Sequence, residues 1–166
     1  MGRVTPFDRT AYGHWTTVPT RWNDNDVFGH VNNAVHYEVM DTVINDWLKA
    51  HGFDVAAGGD VINLIPETGC RYLAEISYPD SFEVGLRTLS VGRTSVRWEC
   101  ALLRASDGEL VALTTGAHVF VDAVSRRPVQ IPTTCDHIWT HWSPRLKRPF
   151  IHASAAKGRG CLGSPP

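Results

Sequence analysis

Apolar residues recur at two different spacings in this sequence, and the two spacings separate one helical segment from a series of strands. Between Asn32 and about Ala50 they return every three or four positions, which is the period of an amphipathic helix. The apolar face consists of Tyr37, Val39, Met40, Val43, Ile44, Trp47 and Leu48. The opposite, polar face consists of Glu38, Asp41, Thr42, Asn45, Asp46 and Lys49. The pattern predicts one helix of about five turns that ends at His51-Gly52, where the glycine can form the C-cap.

The rest of the sequence has the composition and the turn signals of β-strands. Aromatic and β-branched residues at 12–22 predict a first strand, in which Pro19 indicates an edge or a bulge. Glycine-containing turns then separate further strand segments, which we predict at 61–76 (one or two strands), 81–91, 95–104 and 110–122. No β-α-β alternation and no glycine-rich nucleotide motif is present in the sequence.

These elements predict the α+β class. A helix of about 20 residues is about 30 Å long, and a ten-residue strand is about 33 Å long. The helix can therefore lie along a curved antiparallel sheet that wraps around it. We assign residues 1–140 to one domain and residues 141–166 to a C-terminal extension, which its polar composition predicts to be disordered towards its end.

Composition and charge narrow the classes of function. The formal net charge of the 166 residues is -1, which disfavours nucleic acid and anionic membranes as partners. No segment approaches the roughly 20 consecutive apolar residues of a membrane span, and the first residues lack the apolar core of a signal peptide. The four cysteines are scattered, which is typical of a reducing compartment. We therefore expect a cytoplasmic protein.

The stretch RWNDNDVFGHVNNAVHY, at 21–37, concentrates polar groups directly before the helix. A calcium loop starting at Asp24 would need oxygen ligands where Phe28 and Val35 stand. A zinc or iron site built from Asp24, Asp26 and His30 has no recognised ligand spacing. The pair His137 and His141 lacks the glutamate of a zinc-protease motif. We therefore predict no metal at these residues.

A second interpretation uses the helix N-terminus, where backbone N–H groups lack intrahelical partners and carry partial positive charge. Asn32 or Asn33 can cap the helix, and a free amide at Asn33 can then stabilise an oxyanion. Gly29 permits a sharp turn and removes a side chain that would obstruct approach. Asp26 would then lie beside the bound group, as a base or nucleophile. From these residues alone, ordinary capping and turn formation is the somewhat better explanation of the stretch.

The segment RWNDNDVFGHVNNAVHYEVMDTVINDWL resembles the signature of the 4-hydroxybenzoyl-CoA thioesterase-like acyl-CoA thioesterases, a hotdog-fold family. Three later segments are also similar, ETGCRYLAEISYPD, VGRTSVRWE and SRRPVQIP, so that the resemblance extends over roughly residues 15–133. It implies a five- or six-stranded antiparallel sheet around the long helix and a homodimer or homotetramer with active sites between subunits. It further implies hydrolysis of an acyl-CoA without cofactor or metal.

The resemblance also implies residue roles. The carboxylate of Asp26 would act on the thioester as nucleophile or as base for water, and the backbone amide of Asn33 would polarise the thioester carbonyl. Gly29 and His30 complete the catalytic motif. The candidate substrate-binding residues are Val31, Asn32, His36, Tyr37, Glu67, Arg93, Arg126 and Arg127.

Some of these candidates have a structural alternative. Many family members have tyrosine where this sequence has His36, so His36 is either a packed histidine or a change in the acyl pocket. Glu67 either supports its strand or reaches the neighbouring subunit's site. The three arginines either solvate the surface or bind the coenzyme A phosphates.

Two other functions remain open. An acyl-CoA hydratase or dehydratase on the same fold would use Asp26 and His30 as a proton-transfer pair. A non-catalytic acyl-CoA-binding protein would bind the acyl-CoA and release no thiol.

Overall fold

The computed structural model of the protein describes residues 7–53 and 58–132. Within them lie one long helix, α1 (Asn33–Ala50), and five strands. The strands are β1 (His14–Pro19), β2 (Val61–Tyr72), β3 (Ser81–Val91), β4 (Ser95–Arg104) and β5 (Leu110–Asp122). Two short 3-10 turns, Arg9–Ala11 and Trp22–Asp24, flank β1.

The five strands form one antiparallel sheet in the order β1-β3-β4-β5-β2, which leaves β1 and β2 at the edges. Helix α1 packs along one face of this curved sheet. The buried residues of α1 share a core cluster with Phe82 and Leu86 of β3 and Trp98 of β4. At Gly116 of β5 an added Cβ would lie 3.4 Å from the Met40 side chain, so the helix passes close to the sheet. This is the hotdog arrangement, and the predicted α+β fold is confirmed.

The helix agrees with its predicted bounds. Asn32 is the N-cap and its side chain accepts a hydrogen bond from the Ala34 N–H at 2.9 Å. At the other end Gly52 has φ +87°, a left-handed conformation that suits glycine and stops the helix. The buried residues of α1 are His36, Val39, Met40, Val43, Ile44, Trp47 and Leu48.

The predicted faces of the helix agree with the structure, with intermediate burial at three positions. Tyr37, assigned to the apolar face, is half-buried and packs against the core cluster. Asp41 and Asn45 were assigned to the polar face but are half-buried too. Asp41 and Tyr37 both line a cavity between α1 and the edge strand β2. A helical projection of the sequence does not show which residues face a neighbouring strand.

Three strands, β3, β4 and β5, occupy the ranges predicted for them. The segment predicted as one or two strands forms the single strand β2, with a register shift between Leu64 and Glu67. The first strand is shorter than predicted, because Thr20 bonds to the Asp80 carbonyl and the chain then enters the Trp22–Asp24 turn. Pro19 does lie on an edge strand, β1.

The N-terminal segment covers part of the sheet face that points away from α1. Tyr12 and Trp15 pack there with Ala101 and Leu103 of β4. An added Cβ at Gly85 would lie 2.7 Å from the Trp15 ring, so only glycine leaves room for that indole. The sheet is therefore buried on both faces at this position.

None of the described helices is long and apolar enough to cross a membrane. The predicted extension 141–166, the pair His137 and His141, and the cysteines Cys135 and Cys161 lie outside the described residues.

Candidate functional site

The two aspartates before the helix have different surroundings. Asp24 is 4% exposed and accepts hydrogen bonds from the Arg21 backbone N–H (2.7 Å) and from Arg21 Nε (2.9 Å). The carbonyl of Asp24 also accepts the Asn32 N–H at 2.7 Å. Asp24 therefore fixes the loop to its own neighbours and to the start of the helix, and both of its carboxylate oxygens are engaged by Arg21.

Asp26 instead begins a tight turn and keeps one carboxylate oxygen free. Its Oδ1 accepts the Phe28 N–H at 2.8 Å. The backbone closes the turn through Asp26 N–H to the His30 carbonyl (2.8 Å) and Gly29 N–H to the Asp26 carbonyl (3.1 Å). The other oxygen, Oδ2, accepts no hydrogen bond from the described residues.

Gly29 has φ +84°, a conformation that side chains other than glycine rarely adopt. A Cβ added there would meet nothing within 4 Å. Glycine is therefore favoured at position 29 by its backbone conformation, and not by a lack of room for a side chain.

The turn is held against the segment that follows β2. Ser77 Oγ donates to the Gly29 carbonyl at 2.8 Å, and the Tyr78 N–H donates to Asn25 Oδ1 at 3.0 Å. The Val31 N–H donates to the Ile76 carbonyl at 2.8 Å. These bonds join two loops that are distant in sequence, so the position of Asp26 is set from both sides.

The first turn of α1 presents a free amide. The Asn32 side chain satisfies the Ala34 N–H, and the Asn32 carbonyl accepts the Val35 N–H at 2.9 Å. The Asn33 N–H has no acceptor among the described residues. It lies at the end of the helix with partial positive charge, where a developing oxyanion is stabilised.

Asp26 and Asn33 line the same cavity, which has a volume of about 400 Å³. His30, Val31 and His36 also line it. The remaining lining residues are Phe28, Tyr72, Ala74, Glu75 and Ile76. A carboxylate with a free oxygen and an unpaired peptide N–H therefore border one space of the size that small-molecule sites usually have.

The two histidines of the cavity differ in burial. His36 is 3% exposed and packs edge-on against Tyr72 (5.1 Å between ring centres) and Phe82 (5.4 Å). Burial lowers its pKa, so His36 is neutral at pH 7. His30 is partly exposed, and its Nε2 lies 3.0 Å from Glu75 Oε2. The structure pairs His30 with Glu75 and not with Asp26.

Two candidate binding residues of the motif serve the fold as well. Val31 is 4% exposed and forms part of the core as well as the cavity wall. The Asn32 side chain is engaged in the helix cap. Tyr37 lines a different cavity, between α1 and β2.

The other candidate residues lie away from the Asp26 cavity within this chain. Glu67 is exposed on β2, and its carboxylate bonds to Arg97 at 2.7 Å. Arg93 lies in the turn between β3 and β4, and Arg126 and Arg127 follow β5. These arginines are at the end of the sheet opposite Tyr72, about one strand length or 35 Å away.

Sequence reasoning missed Tyr72, Glu75 and Phe28 as cavity residues. The Tyr72 hydroxyl donates to the Asn33 carbonyl at 3.0 Å and so joins the end of β2 to the first residue of α1. Tyr72 and Glu75 both stand in the segment ETGCRYLAEISYPD, which carried part of the family resemblance. That segment was the available signal, but only the pairing of β2 with β5 places its end beside the helix.

Among the described residues, no group of three or more histidine, cysteine, aspartate or glutamate side chains is arranged to hold a metal ion. Cys100 is fully buried, and burial raises its pKa to about 12, so it is not a thiolate nucleophile at neutral pH. Burial likewise raises the pKa of Cys70.

Comparison with known proteins agrees with this fold. The family model of the thioesterase-like superfamily matches residues 20–139. The chain is 37% identical to the PA5185 protein from Pseudomonas aeruginosa over 84% of this chain and 97% of that one, with a TM-score of 0.77. No curated protein matches the sequence.

Two further solved structures share the fold. A thioesterase from Thermus thermophilus, solved with coenzyme A and zinc, is 28% identical over 76% of this chain and 96% of that one, with a TM-score of 0.64. A 1,4-dihydroxy-2-naphthoyl-CoA thioesterase from Synechocystis is 15% identical over 76% and 94%, with a TM-score of 0.70. At 15% identity the second similarity concerns the fold alone.

Proposed function

The chain belongs to the thioesterase-like superfamily, and on that basis we propose that it hydrolyses the thioester bond of an acyl-CoA to a free acid and coenzyme A. The observation that carries the proposal is the shared cavity, in which the Asp26 carboxylate and the free Asn33 N–H both take part. The coenzyme A bound to the Thermus thermophilus thioesterase supports this class of substrate.

In the proposed mechanism the thioester carbonyl oxygen accepts a hydrogen bond from the Asn33 N–H. This bond strengthens as negative charge develops on the oxygen, so it stabilises the transition state more than the substrate. Asp26 Oδ2 acts on the carbonyl carbon in one of two ways. It either attacks the carbon to form an acyl-aspartyl anhydride that water hydrolyses, or it removes a proton from an attacking water. Both routes release coenzyme A as its thiol and the acyl group as its acid.

The other cavity residues position the reacting groups. Gly29 and His30 shape the turn that presents Asp26, and neutral His36 with Val31 forms the inner wall. Asn32 orients the helix end through its cap. The pairing of His30 with Glu75 offers no support for the hydratase alternative, which requires His30 to work with Asp26.

We propose that the active form is a homodimer or homotetramer in which coenzyme A lies across a subunit boundary. Strand β2 is an edge of the sheet that the described residues form, and antiparallel pairing of two such edges puts the Val61 end of one strand beside the Tyr72 end of the other. Asp122 pairs with Val61 and is followed by Arg126 and Arg127. In such a dimer Arg126 and Arg127 of the partner subunit approach this cavity, where they would bind phosphate. Glu67, near the middle of β2, would then lie at the boundary.

Replacement of Asp26 by asparagine tests the proposal. The side-chain oxygen of asparagine can still accept the Phe28 N–H, so the turn is kept while the charge is lost. We expect Asp26→Asn to lower kcat about 100-fold or more, measured as thiol release over a panel of short, branched, long and aromatic acyl-CoAs.

Asp46→Asn is the matched control, because Asp46 is an exposed carboxylate on the polar face of α1. It should leave kcat unchanged. Retention of near-normal rates by Asp26→Asn would exclude the proposed role of Asp26. Loss of conjugation from a 2-enoyl-CoA without thiol release would favour the hydratase, and ligand binding without thiol release by the wild type would favour a binding protein.

A further inference from the structure

Two side chains from the end of β2 and the loop after it donate to backbone carbonyls of the motif that leads into α1. Ser77 Oγ donates to the Gly29 carbonyl at 2.8 Å, at the turn that presents Asp26. The Tyr72 hydroxyl donates to the Asn33 carbonyl at 3.0 Å, at the first residue of the helix. The two bonds therefore hold different parts of the candidate site, and only the bond from Tyr72 reaches the residue with the free amide.

Tyr72 is presented by a well-anchored strand end. It is the last residue of β2. The next two N–H groups, those of Leu73 and Ala74, both donate to the Val111 carbonyl, at 2.8 and 3.2 Å. The Tyr72 ring also packs edge-on against the buried ring of His36, with 5.1 Å between ring centres. The hydroxyl therefore reaches α1 from a part of the sheet that is itself fixed.

The bond from Tyr72 holds the part of α1 that needs it most. Helix ends fray, and Asn33 is the first residue of α1. A carbonyl oxygen can accept two hydrogen bonds, so Asn33 can accept its helix hydrogen bond and the Tyr72 hydroxyl together. Burial raises the pKa of Tyr72, so the hydroxyl keeps its proton and donates at neutral pH. A donor from the sheet thus counteracts fraying at the residue whose N–H the proposed mechanism uses.

We propose that Tyr72 is a positioning residue for the reaction, and that its hydroxyl orients Asn33 so that the free N–H points at the thioester carbonyl. This inference rests on the proposed function, because the Asn33 amide polarises a thioester only in that mechanism. Tyr72 transfers no proton and acts through the Asn33 backbone. A hydrogen bond weakens steeply when its angle departs from linear, so a small rotation of the amide lowers the stabilisation of the transition state.

The variant Tyr72→Phe tests the role of the hydroxyl. It removes the hydroxyl and keeps the ring that packs against His36, so we expect the fold to be retained. Thiol release from the best substrate of the acyl-CoA panel gives the kinetic constants. We expect kcat to fall about 10-fold while KM changes less than about 2-fold, because the lost effect concerns the transition state.

Infrared spectroscopy of a bound carbonyl reports on the amide directly. The probe is the ketone analogue of hexanoyl-CoA, in which a methylene group replaces the sulfur and the carbonyl carries an isotope label. This analogue keeps the carbonyl and cannot be hydrolysed. A hydrogen bond from the Asn33 N–H lowers the stretching frequency of the bound carbonyl. We expect Tyr72→Phe to shift the band to higher frequency and to broaden it, since the amide is no longer held in one orientation.

Tyr12→Phe is the matched control, because it also removes a tyrosine hydroxyl that is hydrogen-bonded. The Tyr12 hydroxyl donates to Glu99 Oε1 at 2.6 Å, on the sheet face that points away from α1. This variant should leave both kcat and the infrared band unchanged. A fall in kcat as large as that in Tyr72→Phe would overturn the inference, because a general loss of stability would then be the cause.

Three results for Tyr72→Phe would also overturn the inference. An unchanged kcat would show that the hydroxyl has no part in the reaction. A lower kcat with an unchanged infrared band would show that Tyr72 acts on another group. A raised KM with an unchanged kcat would make Tyr72 a substrate contact instead.

Thiol release by the wild type tests the proposed function separately. Thiol release that is unaffected by Tyr72→Phe would refute the role of Tyr72 and leave the thioesterase proposal intact. A shifted band in Tyr72→Phe, with no thiol release from any acyl-CoA by the wild type, would refute the thioesterase proposal and leave Tyr72 as the residue that orients the Asn33 amide.

Discussion

His118 shows how a single side chain links burial to pH dependence. It lies on β5, is 1% exposed and packs edge-on towards Trp98 at 6.2 Å between ring centres. Its Nδ1 is 2.9 Å from the Asn63 side-chain nitrogen, so the amide donates and the unprotonated Nδ1 accepts. Burial lowers the pKa of His118 to about 4 from the ordinary value of 6.5. The His118 side chain is therefore neutral in the folded protein.

We predict that His118 makes the fold acid-sensitive. Because its pKa is lower in the folded than in the unfolded chain, the unfolded state binds the proton more tightly. Its contribution to stability is complete above pH 6.5, declines as the pH falls from 6.5 and is lost by about pH 4. The full difference is about 3 kcal/mol in the free energy of unfolding. Denaturant titrations at a series of pH values measure it.

The variant His118→Gln serves as the comparison, since its side chain keeps an acceptor for Asn63 but does not titrate. Its free energy of unfolding should change less between pH 7 and pH 4.5 than that of the wild type. Parallel pH profiles for the two proteins would show that other groups account for the acid sensitivity.

Individual side chains of the site were predictable where one continuous segment contains them. Asp26, Gly29 and Asn33 stand within eight positions of each other, and turn and cap chemistry alone suggests their arrangement. Tyr72 and Asp41 were not predictable as cavity residues, because their roles depend on where β2 lies beside α1. The resemblance already selected Asp26 over Asp24, and the structure adds the physical reason, since Arg21 engages the carboxylate of Asp24.

Among the elements, helix α1 connects stability with the proposed reaction site, because its first turn presents the Asn33 N–H. The Asn32 cap determines where that turn begins. We predict that Asn32→Ala lowers the free energy of unfolding by about 1 kcal/mol, since the Ala34 N–H loses its acceptor. We also expect a lower kcat, because a frayed first turn no longer fixes the amide. Denaturant titration and steady-state kinetics give the two values.

Asn32→Ser tests whether capping is the cause, since serine is a good N-cap residue. It should recover most of the stability and of kcat. Recovery of stability without recovery of kcat in Asn32→Ser would indicate that Asn32 acts on the substrate by contact and not through the cap.

The same helix shows why element prediction was accurate in extent and less accurate in detail. Periodicity fixed its bounds, and the cap and Gly52 lie where the sequence indicated them. The half-buried environment of Asp41 was not predicted, because the position of β2 beside the helix depends on the order of the strands in the sheet. That order cannot be read from the helix sequence. The first strand was overestimated since Trp22 has strand propensity but joins a 3-10 turn.

At the scale of the whole molecule, strand β2 is an edge of the described sheet and exposes large apolar side chains. Leu64 and Ile65 are each 40% exposed, and Tyr72 is 41% exposed. An open, apolar edge strand is a template for pairing with another chain. We predict that the protein is at least dimeric and that Leu64→Glu raises the dimer dissociation constant about 10-fold or more. Sedimentation equilibrium measures the constant.

Leu89→Glu is the matched control, because Leu89 is 39% exposed on β3, away from β2, and receives the same change from leucine to glutamate. It should leave the dissociation constant unchanged. An unaltered association in Leu64→Glu, with the fold intact, would place the interface elsewhere.

The loop that carries Asp26 is tied to the first residues of α1 by the Asn32 N–H and the Asp24 carbonyl. The Asp26 carboxylate and the Asn33 N–H thus belong to one short, internally hydrogen-bonded stretch of the chain. The cavity beyond them is bordered by the edge strand β2. Under the proposed function, substitutions at positions of that strand that leave the subunits associated can accordingly change which acyl groups fit without moving the acid or the amide. Directed evolution of selectivity should therefore begin at Ile65 and Thr68 and leave 24–33 and Tyr72 untouched.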